Sequence, residues 1–171
     1  MNKSIIKQIL IIPVVIWMIV VFEFSSESAD ISGNTSLNVT RKIAQVIISK
    51  DLTEEQKNEN IEVLDSVIRK VAHFTLYTIG GFLGLLYINI YEIDDKKKIG
   101  YSVIAGFVYS VSDEIHQIFV PGRAGMITGV IIDTMGVATG VCVCLLIIKV
   151  INILIGKYVL KNKISIKSKN K

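Results

Sequence analysis

The chain has 171 residues, 51% hydrophobic and 20% charged, with a formal charge of +4 and a mean hydropathy of +0.54. Those totals lie near the values for soluble domains, but the charges are bunched between apolar runs of roughly 20 residues, the length that crosses a bilayer core. This distribution excludes an ordinary soluble enzyme and a disordered chain. It also excludes a disulfide-built secreted domain, because both cysteines, Cys142 and Cys144, sit in one apolar run. The basic residues are spread over loops and a tail, so the net charge gives no reason to expect a nucleic-acid partner.

The first apolar run covers residues 5–24. Lys3 and Lys7 before it resemble the start of a secretion signal, but the run is long and ends in Phe22-Glu23-Phe24-Ser25, with no small-x-small cleavage pattern. A retained helix is expected. The connection that follows, residues 25–70, is too long for a turn. Within it Ser36 is expected to cap a short helix with Leu37, Ala44, Ile47 and Ile48 broadly on one side. Thr53 and Gln56 have capping-box spacing, and Ile61, Leu64, Ile68 and Val71 follow at helical intervals. That second helix should run directly into the next apolar run.

Further runs cover residues 71–91, 99–120 and 126–148, the last ending at Lys149. Backbone groups in lipid must be paired within their own segment or in a closed barrel, and the runs lack the two-residue alternation of barrel strands. The expectation is therefore an all-α integral membrane protein: one domain over residues 1–171, four transmembrane helices, and short surface helices in the first loop. Its two Gly-x-x-x-Gly pairs, Gly80/Gly84 and Gly136/Gly140, are expected at close helix contacts. Cys142 and Cys144 point to different sides of one helix and serve as small fillers.

Orientation follows from Lys and Arg in the connections. The N-terminus carries Lys3 and Lys7, the second connection Lys96, Lys97 and Lys98, and the tail (residues 157–171) Lys157, Lys161, Lys163, Lys167, Lys169 and Lys171. The third connection has Arg123 alone, and the first has six basic residues against eight acidic ones. Both termini and the second loop are thus expected in the cytoplasm, with the first and third loops outside, in a multi-pass protein of a bacterial cytoplasmic membrane.

Ionisable side chains within a span cost roughly 2.5–3.5 kcal/mol at mid-helix and so need partners or a purpose. Here they gather at particular helix ends. Span one closes with Glu23, Ser25, Ser26 and Glu27; span two opens with Arg69, Lys70 and His73; span three closes with Asp113-Glu114-Ile115-His116-Gln117; Arg123 follows, and Asp133 lies about two turns into span four. Under the expected topology all four groups belong to one outward-facing layer. Arg69, His73 and Tyr77 share a helical stripe, as do Tyr109, Asp113 and Gln117. Arg69, Lys70 and Arg123 balance Asp113, Glu114 and Asp133 in charge.

These residues allow two readings. A carboxylate with a histidine one turn on, Asp113 and His116, can orient and charge the imidazole for acid–base work, with Glu114 and His73 as further catalytic candidates. Arg69, Lys70, Gln117, Arg123, Asp133, Ser25 and Ser26 would then bind substrate. The same groups can equally form a structural ion-pair brace, with Lys70 and Arg69 reaching toward water at the interface. No metal or other cofactor is expected. HExxH, paired-cysteine and EF-hand spacings are absent, and three nearby positive charges oppose a divalent cation. Phosphate-binding and dinucleotide fingerprints and the Gly-x-Ser-x-Gly elbow are absent too.

At these residues the chain resembles the VanZ-like family of bacterial membrane proteins. The resemblance is carried by Phe24-Ser25-Ser26, by Arg69-Lys70-Val71-Ala72-His73-Phe74 with Tyr77 and Gly80, and by Ser112-Asp113-Glu114-Ile115-His116-Gln117. It continues through Phe119-Val120-Pro121-Gly122-Arg123 and Asp133-Thr134-Met135-Gly136 with Gly140. Two positions depart from the family pattern: Glu27 stands where glutamine is frequent, and Gly129 where an aspartate is frequent. The resemblance implies an envelope role, since the family's namesake accompanies glycopeptide-resistance genes and lowers sensitivity to teicoplanin.

The expectation is accordingly an accessory factor at the outer leaflet whose partners are membrane lipids and a lipid-linked envelope precursor or a lipoglycopeptide. An integral-membrane hydrolase or transferase acting on a lipid-linked substrate is the alternative, with His116 as base and Arg69 and Arg123 holding an anionic group. A channel or transporter is disfavoured, because a conduction path needs polar residues at the midplane, where spans two and four are nearly clean.

Overall fold

The computed structural model describes residues 3–47 and 53–169, and these are helical wherever they are regular. Helix α1, Lys3–Ser26, contains Pro13. Helix α2, Ala29–Ile47, begins well before Ser36, so Ser36 is not its cap; its hydroxyl donates to the Gly33 carbonyl at 3.1 Å from inside the helix. The side of α2 that faces the protein carries Gly33, Thr40 and Ala44, whereas Ile47 is exposed. Ile48, placed on that side by its spacing, lies outside the described residues.

Helix α3, Glu54–Ile88, starts with the reciprocal capping box that Thr53 and Gln56 imply. The Gln56 amide donates to Thr53 Oγ1 at 3.4 Å, and the Thr53 amide to Gln56 Oε1 at 3.1 Å. With both orphan donors satisfied, the helix runs unbroken through the boundary between loop and apolar run. At 35 residues it is about 52 Å long, well beyond a hydrocarbon core of about 30 Å. Helix α4, Asp95–Ile118, is capped by Asp94, whose carboxylate accepts from the Lys96 amide at 3.1 Å. Helix α5, Ile127–Lys169, does not stop at Lys149, because lysine is itself a good helix former and no terminator.

Helix α3 is the hub, in contact with each of the other four helices and most extensively with α5. Glycines permit that closeness. A side chain at Gly140 would run into the backbone at Thr78 and Phe82, one at Gly136 into the Phe74 carbonyl, and one at Gly81 into the Val137 backbone. Gly80 makes room for the Trp17 indole, whereas Gly84 faces open space; the α3 glycine that meets α5 is Gly81, not Gly84. One core cluster joins Val21, Tyr77 and Val137 with Trp17, Leu76 and Tyr109 around them. The other joins Leu85, Val141 and Cys144.

Helix α1 runs antiparallel to α3. Trp17 Nε1 donates to the Leu76 carbonyl at 2.8 Å, and at the far end the Lys7 ammonium sits 4.2 Å from the Tyr91 ring centre. Outward faces are apolar: Ile9, Ile12, Ile16 and Ile19 on α1 and Ile131, Leu146 and Leu154 on α5 are all exposed. Among the described residues α1, α3 and α5 are long and apolar enough to cross a membrane. Helix α4 carries buried Ser102, Ser110, Asp113, Glu114 and Gln117 and is the more polar partner of the bundle.

Candidate functional site

The C-terminal ends of α1 and α4 and the first turns of α5 meet around the middle of α3. From α3 comes His73, from α4 Asp113, and from α5 Asp133, and one ligand-type atom of each lies within 4.8 Å of the other two. His73 Nδ1 is 3.6 Å from Asp133 Oδ1, too far for a hydrogen bond. Asp133 is fully buried. Its other oxygen, Oδ2, accepts from the Ser110 hydroxyl at 3.2 Å. Gln117, one turn beyond Asp113, donates its amide to Asp113 Oδ2 at 3.3 Å and to Ser25 Oγ at 3.5 Å, tying the end of α1 to this group.

His116 goes elsewhere. Its Nε2 lies 3.1 Å from Ser26 Oγ, and its ring stacks on Phe22 with centres 4.7 Å apart. No ion pair joins it to Asp113 among the described residues, so the Asp113–His116 pairing suggested by their spacing is not what the packing produces. Asp113 turns toward α3 and α5, while His116 turns toward α1, because three residues on a helix still leave an angular offset of about 60°.

Glu114 closes another junction. Its Oε2 accepts from the Met126 amide at 2.7 Å, immediately before α5, where unpaired backbone donors favour an anion. The space it fills is the one that Gly129 leaves: a β-carbon at 129 would collide with the Glu114 carboxylate. Between α4 and α5 the chain reverses at Gly122, whose φ of 74° suits a residue without a β-carbon. The turn sends Arg123 back to α1, where its guanidinium donates to the Phe24 carbonyl at 2.9 Å. Burial, reinforced by the Arg69 charge, pushes the Arg123 guanidinium below its ordinary value; guanidinium nevertheless stays protonated near neutral pH.

Arg69 does not face Asp113. It forks onto Asp65 one turn earlier, through Nε at 2.8 Å and a terminal nitrogen at 2.6 Å. Thr40 of α2 donates to the other Asp65 oxygen at 2.8 Å. This node fastens α2 to α3. Sequence reasoning passed over Asp65, although its four-residue spacing to Arg69 was visible; nothing in the spacing pointed to Thr40. Ser110 was missed as well, since a serine in an apolar run is usually neutral filler. Lys70 is exposed.

Beside these groups opens a cavity of about 1060 Å3 bounded by α2, α3 and the α4–α5 turn. Phe24, Leu37, Leu76 and Ile132 give it apolar walls, and Arg69, Lys70 and Arg123 bring basic groups to it, with Glu27, Glu62 and Asp65 as acidic neighbours. His73, Glu114, Gln117 and Asp133 reach its surface; His116, Asp113, Ser25 and Ser26 do not line it. The arrangement can hold an amphipathic molecule with an anionic head. Among the described residues, His73, Asp113 and Asp133 are placed so that they could hold a metal.

Comparison with known proteins yields no match among curated proteins and none among solved structures. A model of the VanZ/LLP1 family matches residues 10–149. That range runs from the first turns of α1, through every residue of the convergent group, to Lys149 in α5. The chain therefore belongs to the VanZ/LLP1 family.

Proposed function

We propose that this VanZ-like membrane protein is an accessory factor of the bacterial envelope that lowers sensitivity to lipoglycopeptides such as teicoplanin by holding an amphipathic envelope ligand. The observation that carries this reading is the cavity. Its volume of about 1060 Å3 lies at the upper limit of drug-sized pockets, roughly 300–1,000 Å3, and its apolar walls and basic groups match an acyl chain joined to an anionic head. A lipid-linked precursor or a lipoglycopeptide has that chemistry.

The topology proposed with it has four spans, in α1, α3, α4 and α5, and both termini in the cytoplasm. Exposed Ile104, Val108 and Ile115 on α4 form a lipid-compatible face, and α4 is packed against α1, α3 and α5. The lysines of the first turn of α4, at residues 96–98, favour the cytoplasm, which supports an outer-leaflet position for the cavity. The hydrolase or transferase alternative gains nothing from His116, which lies off the cavity and holds Ser26.

The test is teicoplanin and vancomycin susceptibility in a sensitive Gram-positive host carrying an empty vector, the native chain, or Arg123→Ala at matched membrane levels. The expected result is a several-fold rise in the teicoplanin concentration needed for inhibition, a smaller vancomycin effect, and loss of the rise in Arg123→Ala. An unchanged teicoplanin response with the native chain refutes the resistance reading.

A further inference from the structure

The bundle buries two carboxylates beside one imidazole. Asp113 is 4% exposed and Asp133 fully buried. Two ionised carboxylates this close repel one another, and a buried charge without a partner is costly. The basic groups nearby are committed elsewhere: Arg69 to Asp65 and Arg123 to the Phe24 carbonyl, while Lys70 is exposed. The charge objection to a cation, drawn from the sequence, is weaker at this point of the fold: Arg123 keeps its charge near His73 and Asp113, but two carboxylates face it.

Two further observations indicate a missing partner. Asp133 Oδ1 is buried and has no hydrogen-bond partner among the described residues. Buried polar atoms are seldom left so. The spacing also fits: two ligands bound to one metal at about 2.1 Å and a tetrahedral angle stand about 3.4 Å apart, against the 3.6 Å between His73 Nδ1 and Asp133 Oδ1. Ser110 holds Asp133 Oδ2 and Gln117 holds Asp113 Oδ2, the outer support that orients metal ligands.

We propose that His73, Asp113 and Asp133 bind one divalent cation of the Zn2+ class. A nitrogen and carboxylate oxygens suit such an ion, whereas Mg2+ and Ca2+ favour oxygen alone. Three protein ligands leave a coordination position open. Of the three, His73 lines the cavity with part of its side chain exposed, so an anionic group of a bound molecule can approach the open position from that side. The metal site stands independently of the resistance reading.

The full-length protein in detergent is stripped with chelator, incubated with ZnCl2, desalted and assayed for zinc by mass spectrometry. The native chain should retain about one equivalent. His116→Ala, which removes the other of the two histidines, should retain the same, while His73→Ala and Asp133→Asn fall to background with unchanged elution. Zinc-edge absorption on the native chain provides a reading that no variant's folding can disturb; one imidazole plus oxygen neighbours at about 2.0–2.1 Å and no sulfur are expected. Absence of retained zinc in the native chain overturns the proposal. A sulfur-containing shell, which would implicate Cys142 or Cys144, or zinc persisting in folded His73→Ala and Asp133→Asn, overturns it equally.

Discussion

Gly129→Ala should destabilise the protein, and the same substitution should stabilise it once Glu114 is removed. The new β-carbon would occupy the place of the Glu114 carboxylate. Glu114 ends in a flexible side chain, so it can swing aside, but doing so breaks its bond to the Met126 amide. A hydrogen bond to a charged group is worth about 1.5–3 kcal/mol. Replacing a helical glycine by alanine returns about 0.5–1 kcal/mol, giving a net loss of about 1–2 kcal/mol for Gly129→Ala. Glu114→Ala alone should cost about 1.5–3 kcal/mol. In the Glu114→Ala background nothing remains to collide with, and Gly129→Ala should gain about 0.5–1 kcal/mol. The two substitutions are then coupled by roughly 2 kcal/mol, a size typical of residues in contact. Unfolding of the four proteins by SDS titration in mixed micelles, followed by Trp17 fluorescence, measures the cycle. Additive effects would show that Glu114 does not hold the start of α5 across Gly129.

Gly140→Leu should cost more than about 3 kcal/mol, because its side chain meets the α3 backbone at Thr78 and Phe82, which cannot move aside as a side chain can; Gly84→Ala, facing open space, should be neutral or gain up to about 1 kcal/mol. Thermal unfolding in detergent separates the two, and equal effects would contradict the α3–α5 packing. At the α2 anchor, Arg69→Ala should destabilise more than Asp65→Asn, by about 1 kcal/mol or more. Removing Arg69 leaves a carboxylate with 7% side-chain exposure, while removing the Asp65 charge leaves a guanidinium already 42% exposed, which water can satisfy; the reverse ranking refutes this. In a background lacking Cys142 and Cys144, a membrane-impermeant thiol reagent applied outside cells should label a cysteine placed at 122 and not one at 97. The opposite pattern overturns the proposed orientation.

Much of the fold was legible because its causes are local. A capping box is made by residues three apart, so Thr53 and Gln56 announced the start of α3. An uninterrupted apolar run forms a helix with no help from distant residues, as in α1 and α5. Helix ends were harder: α2 begins ahead of Ser36 and α5 continues past Lys149, because weak terminators act only when tertiary packing reinforces them. The candidate site divides along the same line. Glu114, Asp113 and Gln117 were singled out by the cost of polar groups in an apolar run, a property of composition alone.

The amino-acid sequence by itself determined that the chain is helical, that its long apolar stretches suit a membrane, and which few polar residues must find partners; hydropathy and spacing act over one or two turns and need nothing else. Only the tertiary structure decided the pairing. Spacing allowed Asp113 to meet His116 and charge balance allowed Arg69 to meet Asp113, yet Phe22 and Ser26 took His116, Asp65 took Arg69, and Asp113 came to lie with His73 and Asp133. Periodicity specifies the face on which a side chain lies. Which face of which neighbour it meets depends on how closely the helices approach and rotate, and here that was set by contacts at Gly81 of α3 and at Gly136 and Gly140 of α5, two segments far apart along the chain.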